Sequence, residues 1–238
     1  TKDMVEKIRA VKEEDELKKI KRAVALTDEA FAHIVDFIEP GMTEKEVAWE
    51  LEVFMRTYGA EKMAFDPIVA AGPNGAMPHA TPSEQAIRPG ESLIMDFGCV
   101  IDGYHSDMTR TICLGRPDDR FQEVYDLVLS AQLAAEEAIR PGMMGKEADG
   151  IAREVIEKAG YGEQFGHGLG HGVGLAIHEK PTLGALSCDV LEPGMVFTVE
   201  PGIYIPGWGG VRIEDVVVLG EDGPEVLTEA AKLGSNIS

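Results

Sequence analysis

Four acidic residues stand in two pairs beside hydrophobic runs, and each pair could hold a metal ion. The acids are Asp96, Asp107, Glu200 and Glu214. Burying unpaired carboxylates is costly, and a bound cation removes most of that cost. Structural ion pairs with Arg110 and Arg212 are the alternative, but two arginines leave part of the negative charge unbalanced. The pattern therefore favours a metal site.

A glycine- and histidine-rich stretch, GHGLGHGVGLAIHE, supplies a nitrogen ligand. It carries three of the six histidines, which are His167, His171 and His178. Glycine fills every even position from 166 to 174, which disfavours a helix and predicts extended chain. The odd residues then share one face, while the bare glycine face lets another backbone or a ligand approach. The spacing fits neither a zinc-protease helix nor a nucleotide-binding loop.

One imidazole together with four carboxylates gives five ligand side chains. Ligands rich in oxygen with one nitrogen suit Mn²⁺, Co²⁺, Fe²⁺ or Zn²⁺. Five ligands are too many for one tetrahedral ion, whereas two ions that share carboxylates and a water account for all of them. The residues therefore predict a site for two divalent ions.

A hairpin must position the first acid pair. Asp102-Gly103 predicts a two-residue type I′ turn, because both central residues of that turn need positive φ. Ile101 then pairs with Tyr104, and Asp96 lies on the same face as Asp107, diagonally across the two strands.

A second hairpin, with PGWGG as its predicted loop, must position the other acid pair. We expect Ile205 to lie opposite Val211, which places Glu200 diagonally across from Glu214. The longer loop fixes this register less firmly than the two-residue turn does.

The chain also contains an internal repeat that orders these elements. IEPGMTEKE, from residue 38, matches IRPGMMGKE, from residue 139, at six of nine positions. In each copy one helical pattern precedes the match and another follows it. Then come a histidine shortly before a proline (His79 or His178), a Pro-Gly turn and two strands that bear the acids. This order predicts one α+β domain with two related halves.

These residues resemble the metallopeptidases with the pita-bread fold, a family that includes methionine aminopeptidases, prolidases and aminopeptidase P. The signature of that family is matched by Asp96, Asp107, His171, Glu200 and Glu214. HGLGH followed by HE, and VRIEDVVVL around Glu214, look like the Xaa-Pro branch. The resemblance implies a pita-bread (creatinase/aminopeptidase) fold with two pseudo-symmetric halves, in each of which helices pack on an antiparallel sheet.

The resemblance also implies roles for the other residues. His79 would assist proton transfer, and His178 would hold the substrate carbonyl or the developing oxyanion. His167 would be a further pocket histidine, and Tyr204 and Arg212 would support substrate binding. Glu200 would serve both as a metal ligand and as a proton carrier.

The predicted activity is hydrolysis of the Xaa-Pro bond, at the N-terminus of peptides or in dipeptides, by a hydroxide that bridges two divalent ions, with Mn²⁺ expected first. A non-catalytic peptide- or protein-binding module of the same fold is one alternative. A methionine-aminopeptidase-like or creatinase-like hydrolase is another, although the former should carry its last glutamate in a QFEHT-like context. The expected partner is a peptide or dipeptide with proline in second position, and a homodimer stays open.

Composition limits the remaining classes. A net charge of -20 argues against nucleic acid as a partner, and no apolar run predicts a membrane span. Three cysteines without CxxC spacing favour a reducing, cytoplasmic setting. We expect one metallopeptidase domain over residues 1–238, with residues 1–14 as the remnant of a linker to an N-terminal domain of the kind that Xaa-Pro peptidases usually carry.

Overall fold

The computed structural model describes residues 4–237, so residues 1–3 and 238 of the predicted domain lie outside the described part. Five α-helices lie within that range. They are α1 (Met4–Ala10), α2 (Glu14–Phe37), α3 (Glu44–Thr57), α4 (Asp119–Ala138) and α5 (Gly145–Lys158). Local capping starts several of them: Asp118 accepts from the Phe121 N–H at 2.7 Å, and Thr43 accepts from the Glu46 N–H at 3.2 Å.

The described part contains fourteen strands, numbered in chain order. They are β1 (Lys62–Met63), β2 (Ile68–Ala71), β3 (Ser92–Phe97), β4 (Cys99–Ile101), β5 (Tyr104–His105), β6 (Met108–Leu114), β7 (Gly170–Gly172), β8 (Glu179–Leu183), β9 (Val196–Val199), β10 (Gly202–Ile205), β11 (Gly209–Arg212), β12 (Asp215–Leu219), β13 (Pro224–Val226) and β14 (Gly234–Ile237).

The strands form two main sheets, one in each half. The first sheet has the order β14-β6-β3-β2, and the second has the order β13-β12-β9-β7-β8. Neighbouring strands are antiparallel except for β14, which joins β6 in parallel. Two smaller sheets, β1-β4-β5 and β10-β11, complete the structure. The prediction of an α+β fold is therefore confirmed.

Helices of each half pack on the sheet of that half, and the N-terminal part of α2 also packs on the second sheet through Ile20 and Val24. In the first half, Ile34 of α2 and Leu51 of α3 pack in one hydrophobic cluster with Leu93 of β3. In the second half, Val128 of α4 and Ala152 of α5 pack in another cluster with the strands of the second sheet. The predicted helical patterns thus correspond to real amphipathic helices with buried apolar faces.

The internal repeat is visible in the main-chain hydrogen bonds. The Gly41 N–H donates to the Ile87 carbonyl at 2.9 Å, and the equivalent Gly142 N–H donates to the Leu191 carbonyl at 2.8 Å. Isolated bridges repeat in the same way, between residues 43 and 86 and between residues 144 and 190. Both copies of the Pro-Gly-Met motif therefore fold into the same loop, which precedes α3 in the first copy and α5 in the second.

The first hairpin has the predicted turn and register. Ile101 pairs with Tyr104, and Asp102 and Gly103 have φ values of 49° and 79°. On the same register, Asp96 pairs with Thr109 between β3 and β6. Asp96 and Asp107 consequently lie two positions apart on facing strands, as predicted from the turn alone.

The register predicted for the second hairpin is wrong by two residues. Ile205 pairs with Gly209 and not with Val211, and Val199 pairs with Asp215. The same register places Glu200 directly opposite Glu214. Gly209 and Gly210 belong to strand β11 and not to the loop. Glycine is needed there because another segment packs against the strand: a Cβ on Gly210 would lie 2.3 Å from the Gly75 carbonyl oxygen.

Among residues 4–237 no helix is long and apolar enough to cross a membrane.

Candidate active site

A cavity of about 480 Å³ opens where the two halves meet. The first half contributes the segments around Phe65, His79 and Asp96, and the second half contributes the glycine-histidine stretch and the glutamates. All five predicted metal ligands line the cavity, together with His79, His167, His178 and Arg212. Tyr204 is not among these lining residues but contacts two of them, His167 and Arg212.

The four acids occupy the ends of paired strands. Asp96 lies in β3, and Asp107 directly precedes β6. Glu200 directly follows β9, and Glu214 directly precedes β12. Three donor atoms, from Asp107, His171 and Glu214, lie within 4.8 Å of one another, which is a spacing that one metal ion can bridge.

His171 presents a free nitrogen lone pair to this cluster. Its Nδ1–H donates to the Gly172 carbonyl at 3.1 Å, since a carbonyl can only accept. Burial lowers the pKa of His171, which favours the neutral ring. Nε2, the unprotonated nitrogen, faces Asp107 Oδ2 at 3.5 Å and Glu200 Oε1 at 3.4 Å. A lone pair that faces two carboxylates is unfavourable unless a cation lies between them.

One arginine opposes the four acids. Arg212 Nη2 donates to Asp96 Oδ2 at 2.6 Å, while Asp96 Oδ1 is buried without a hydrogen-bond partner. Arg110 instead pairs with Asp215 at 2.6 Å, outside the cavity lining. Arg212 alone of the two arginines pairs with one of the four acids, so the alternative in which both arginines neutralise them is wrong.

Three of the acids, Asp107, Glu200 and Glu214, have strongly perturbed pKa values. Burial raises the pKa of Asp107 well above its ordinary range, and the Asp96 and Glu200 carboxylates raise it further. Burial, followed by Asp107, raises the pKa of Glu214 in the same direction. Burial raises the pKa of Glu200 to about 7, although Arg212 lowers it. These shifts express a deficit of positive charge, which divalent cations would supply.

A hydrogen-bonded chain connects His167 to the acids. His167 Nδ1–H donates to the Gly168 carbonyl at 2.8 Å, so Nε2 accepts from the Tyr204 hydroxyl at 2.9 Å. Tyr204 in turn accepts from Arg212 Nη1 at 2.7 Å. Burial, with a further contribution from Arg212, lowers the pKa of His167 to about 4 and keeps this histidine neutral.

His178 and His79 line the cavity from opposite halves. The ring of His178 lies against that of His171, with 4.2 Å between centroids, and burial lowers its pKa. The segment that carries His79 is held by Glu44 of α3. This buried carboxylate accepts from the Ala71 N–H at 2.7 Å, the Ser83 N–H at 2.9 Å and the Asn74 side chain at 2.8 Å.

Two threonines were not predicted from the sequence. Thr109 donates to Glu214 Oε2 at 2.6 Å and accepts from Arg212 Nε at 3.0 Å. Thr198 donates to Glu200 Oε1 at 3.0 Å and accepts from the His171 N–H at 3.1 Å. Each lies two residues from an acid along a strand direction, so strand periodicity was the signal that could have found them.

Other segments, and not a ligand, occupy the glycine face of the stretch. A Cβ on Gly170 would lie 2.0 Å from the Thr198 carbonyl oxygen, and one on Gly172 would lie 2.1 Å from that of Lys180. A Cβ on Gly168 would lie 2.6 Å from the Leu183 carbonyl oxygen. These glycines let β7 lie close to its neighbouring strands while His171 turns into the cavity.

Comparison with known proteins decides the family. The model of metallopeptidase family M24 matches residues 18–221. The chain belongs to this family. Membership implies divalent metal ions, and the Asp107, His171 and Glu214 cluster is able to bind one.

Similar M24 proteins come from several bacteria and archaea. The chain is 45% identical over 230 residues to a Xaa-Pro dipeptidase of Pyrococcus furiosus, which is 97% of this chain and 66% of that protein. The structure of a Xaa-Pro dipeptidase from Bacillus anthracis matches with a TM-score of 0.96 and 51% identity, over 98% of this chain and 65% of that one. An X-Pro aminopeptidase from Thermotoga maritima matches with a TM-score of 0.95 and 45% identity, over 98% and 66%.

These likenesses confirm the pita-bread fold. The chain spans slightly less than two thirds of the length of the first curated relatives that it matches.

Proposed function

We propose that this chain is a metal-dependent exopeptidase that hydrolyses the bond before proline, in dipeptides or at the N-terminus of longer peptides. The observation that carries the proposal is the convergence of four carboxylates and the His171 lone pair on one cavity with a single arginine to balance them. The relatives named as Xaa-Pro dipeptidases and X-Pro aminopeptidases support the choice of substrate.

Five residues would hold two divalent ions, with Mn²⁺ as the first choice and Co²⁺, Zn²⁺ or Fe²⁺ as others. They are Asp96, Asp107, His171, Glu200 and Glu214. Such ions lower the pKa of water toward neutrality and polarise a carbonyl group. Asp96 Oδ1, which has no hydrogen-bond partner, and the unprotonated Nε2 of His171 are both available as metal donors.

The remaining polar residues would orient and protonate the substrate. His178 would donate a hydrogen bond to the carbonyl oxygen before proline, where negative charge develops. Glu200 would move a proton toward the proline nitrogen. His79 would assist this transfer from the opposite wall, while His167, Tyr204 and Arg212 would keep the acids and the substrate in place.

Apolar residues of the cavity suit a proline ring. Phe65, Pro67, Ile68 and Ile177 contribute side chains to the lining. A tertiary Xaa-Pro amide has no N–H at the scissile bond, so an apolar wall leaves no donor unsatisfied there.

Four further expectations belong to this proposal. The net charge of -20 opposes nucleic acid as a partner. A cytoplasmic location agrees with three cysteines that are all unpaired in the structure. A homodimer and a linker at residues 1–14 stay predictions.

Hydrolysis by metal-stripped protein, before and after addition of Mn²⁺, tests the proposal. Gly-Pro, Ala-Pro-Ala and Met-Ala-Ser are the substrates, and the Asp107→Asn variant is the control. We expect Mn²⁺-dependent cleavage only before proline, with at least about a hundredfold loss in the variant. The dipeptide and the tripeptide would distinguish dipeptidase from aminopeptidase activity.

Other outcomes would contradict the proposal. Cleavage of Met-Ala-Ser alone would assign the chain to the methionine aminopeptidases. Bound metal without cleavage of any peptide would favour a binding module. Failure to bind Mn²⁺ would remove the basis of the proposal.

A further inference from the structure

A buried ion pair lies beneath the segment that carries His178. Lys12 Nζ lies 2.7 Å from Glu179 Oε1, and the two side chains are only 1% and 8% exposed. Arg9 Nη2 lies 2.5 Å from the other oxygen of Glu179. Glu179 directly follows His178, so this charge cluster is linked covalently to a cavity residue.

The lysine is fixed by the main chain around it. Val11 bridges Met195, and the Lys12 N–H donates to the Gly194 carbonyl at 2.9 Å. The ammonium group also donates to the Ala10 carbonyl at 3.2 Å. Lys12 therefore presents its charge from a position that the second sheet holds in place.

The His178 loop, residues 173–178, is shaped around this pair. Glu179 Oε2 accepts from the Ala176 N–H at 3.4 Å. A Cβ on Gly174 would lie 2.3 Å from Glu179 Oε1 and 3.0 Å from Lys12 Cε, so the absence of a side chain there leaves room for the ion pair. The Gly174 carbonyl accepts from both the N–H and the Nδ1–H of His105.

Such a pair defines geometry more than it adds stability. Burying two charges costs about as much as their attraction returns. Removing Lys12 leaves Glu179 with Arg9 as its only ion-pair partner among the described residues and takes away the donor that fixes Oε1. The carboxylate of Glu179 accepts hydrogen bonds from three directions. Its position in turn limits where the adjacent His178 can lie.

We propose that Lys12 and Glu179 form a positioning pair that holds the His178 loop so that the imidazole enters the cavity. The inference rests on the proposed function, because that function gives His178 its role at the substrate carbonyl. Segment 9–12 is thereby part of the active-site support.

Histidine-ring NMR tests the positioning without relying on activity. The protein is labelled with ¹⁵N-histidine and loaded with Zn²⁺, and His178→Asn identifies the His178 signal among six histidines. We expect Lys12→Met and Glu179→Gln to shift or broaden that signal. Lys21→Met is the matched control, since Lys21 also lies 2.7 Å from a carboxylate, Glu225, but at 45% exposure. An unchanged His178 signal in Lys12→Met would overturn the proposal.

The double variant Lys12→Met/Glu179→Met addresses folding. It removes both buried charges at similar volume, and the Arg9 side chain, which loses its partner, is 33% exposed and can be solvated. We expect native circular dichroism and the same displaced His178 signal. A His178 signal at the parent position in this variant would contradict the inference.

Kinetics on Ala-Pro-Ala with Mn²⁺-loaded protein test the link to chemistry. We expect Lys12→Met to lower kcat about tenfold through misplacement of His178, with KM and Mn²⁺ affinity unchanged. In the His178→Asn background the same substitution should have no further effect. An equal loss in both backgrounds would show a general structural role and overturn the proposal. An inactive parent would contradict the proposed function alone, since the NMR comparison would still decide the positioning.

Discussion

At the scale of single residues, hydrogen-bond direction fixes which atoms of Glu214, a candidate metal ligand, are already hydrogen-bonded. Arg212 can only donate, so the hydroxyl of Thr109 must accept from it and give its one proton to Glu214. That proton occupies one lone pair of Glu214 Oε2 and leaves the remaining ones for a metal ion. Thr109 therefore orients the carboxylate of Glu214, a candidate metal ligand.

Replacing Thr109 with valine should weaken metal binding. The substitution keeps the shape but removes the hydroxyl, so Glu214 loses its donor and Arg212 loses an acceptor. We expect Mn²⁺ affinity, measured by isothermal titration calorimetry, to fall about 10- to 100-fold. Thr109→Ser keeps the hydroxyl and should retain most of the affinity. Equal affinities for the valine and serine variants would contradict this account.

At the scale of elements, α4 packs against a second buried charge cluster behind the site. Arg110 Nη1 donates to the Glu214 carbonyl at 2.6 Å, and Arg110 is paired with Asp215. Lys232 lies 2.7 Å from the other oxygen of Asp215, and Glu136 of α4 lies beside both. The element order brings these charges together and anchors the main chain of one predicted metal ligand.

Glu136 should make stability depend on pH. Burial, followed by Asp215, raises its pKa from 4.5 to about 8, although Lys232 lowers it. The folded protein thus keeps this proton up to about pH 8, whereas the unfolded chain releases it near pH 4.5. The contribution of Glu136 to stability is therefore complete at low pH and is lost as the pH rises through about 8.

The Glu136→Gln variant should lack this loss, because the amide resembles the protonated acid and cannot titrate. Urea unfolding between pH 5 and pH 9 is the measurement. Relative to the parent, we expect the free energy of unfolding of the variant to improve by at least about 1 kcal/mol over this range. Glu137→Gln, at an exposed position on the same helix, should show no such trend. Parallel pH curves for the parent and Glu136→Gln would refute the prediction.

At the scale of the whole molecule, the candidate ligands come from two halves, each with a hydrophobic cluster of its own, and a third cluster packs α2 against the second sheet. Asp96 and Asp107 come from the first half, and His171, Glu200 and Glu214 come from the second. Metal bound by this set would hold both halves in one arrangement. It would also remove the repulsion among the buried carboxylates.

Mn²⁺ should consequently stabilise the metal-stripped protein against heat. At a concentration of 100 times Kd, a ligand that binds only the folded state adds about 2.7 kcal/mol. For a chain of this size, this corresponds to a rise in Tm of roughly 5–10 °C by calorimetry. The Asp107→Asn/Glu214→Gln variant, with a ligand removed from each half, should show little rise. The same rise in that variant would place the stabilising metal elsewhere.

The sequence predicted the strand register of the first hairpin correctly but not that of the second. The Asp102-Gly103 turn fixed the first register, because a two-residue turn with positive φ leaves one way to pair the strands. The second register was wrong by two residues. Its glycines could be read as loop, and only the approach of Gly75 and Ser92 showed that they belong to a strand.

The sequence by itself determined the internal repeat and the family and predicted the candidate ligands, because these depend on residue identity and spacing along the chain. Only the tertiary structure decided which arginine balances the acids, which nitrogen of His171 is free and which threonines orient the glutamates. It also decided that Lys12 lies beneath the His178 loop. These contacts join segments far apart in the chain, and their partners are fixed by packing and hydrogen-bond direction, which spacing along the sequence does not encode.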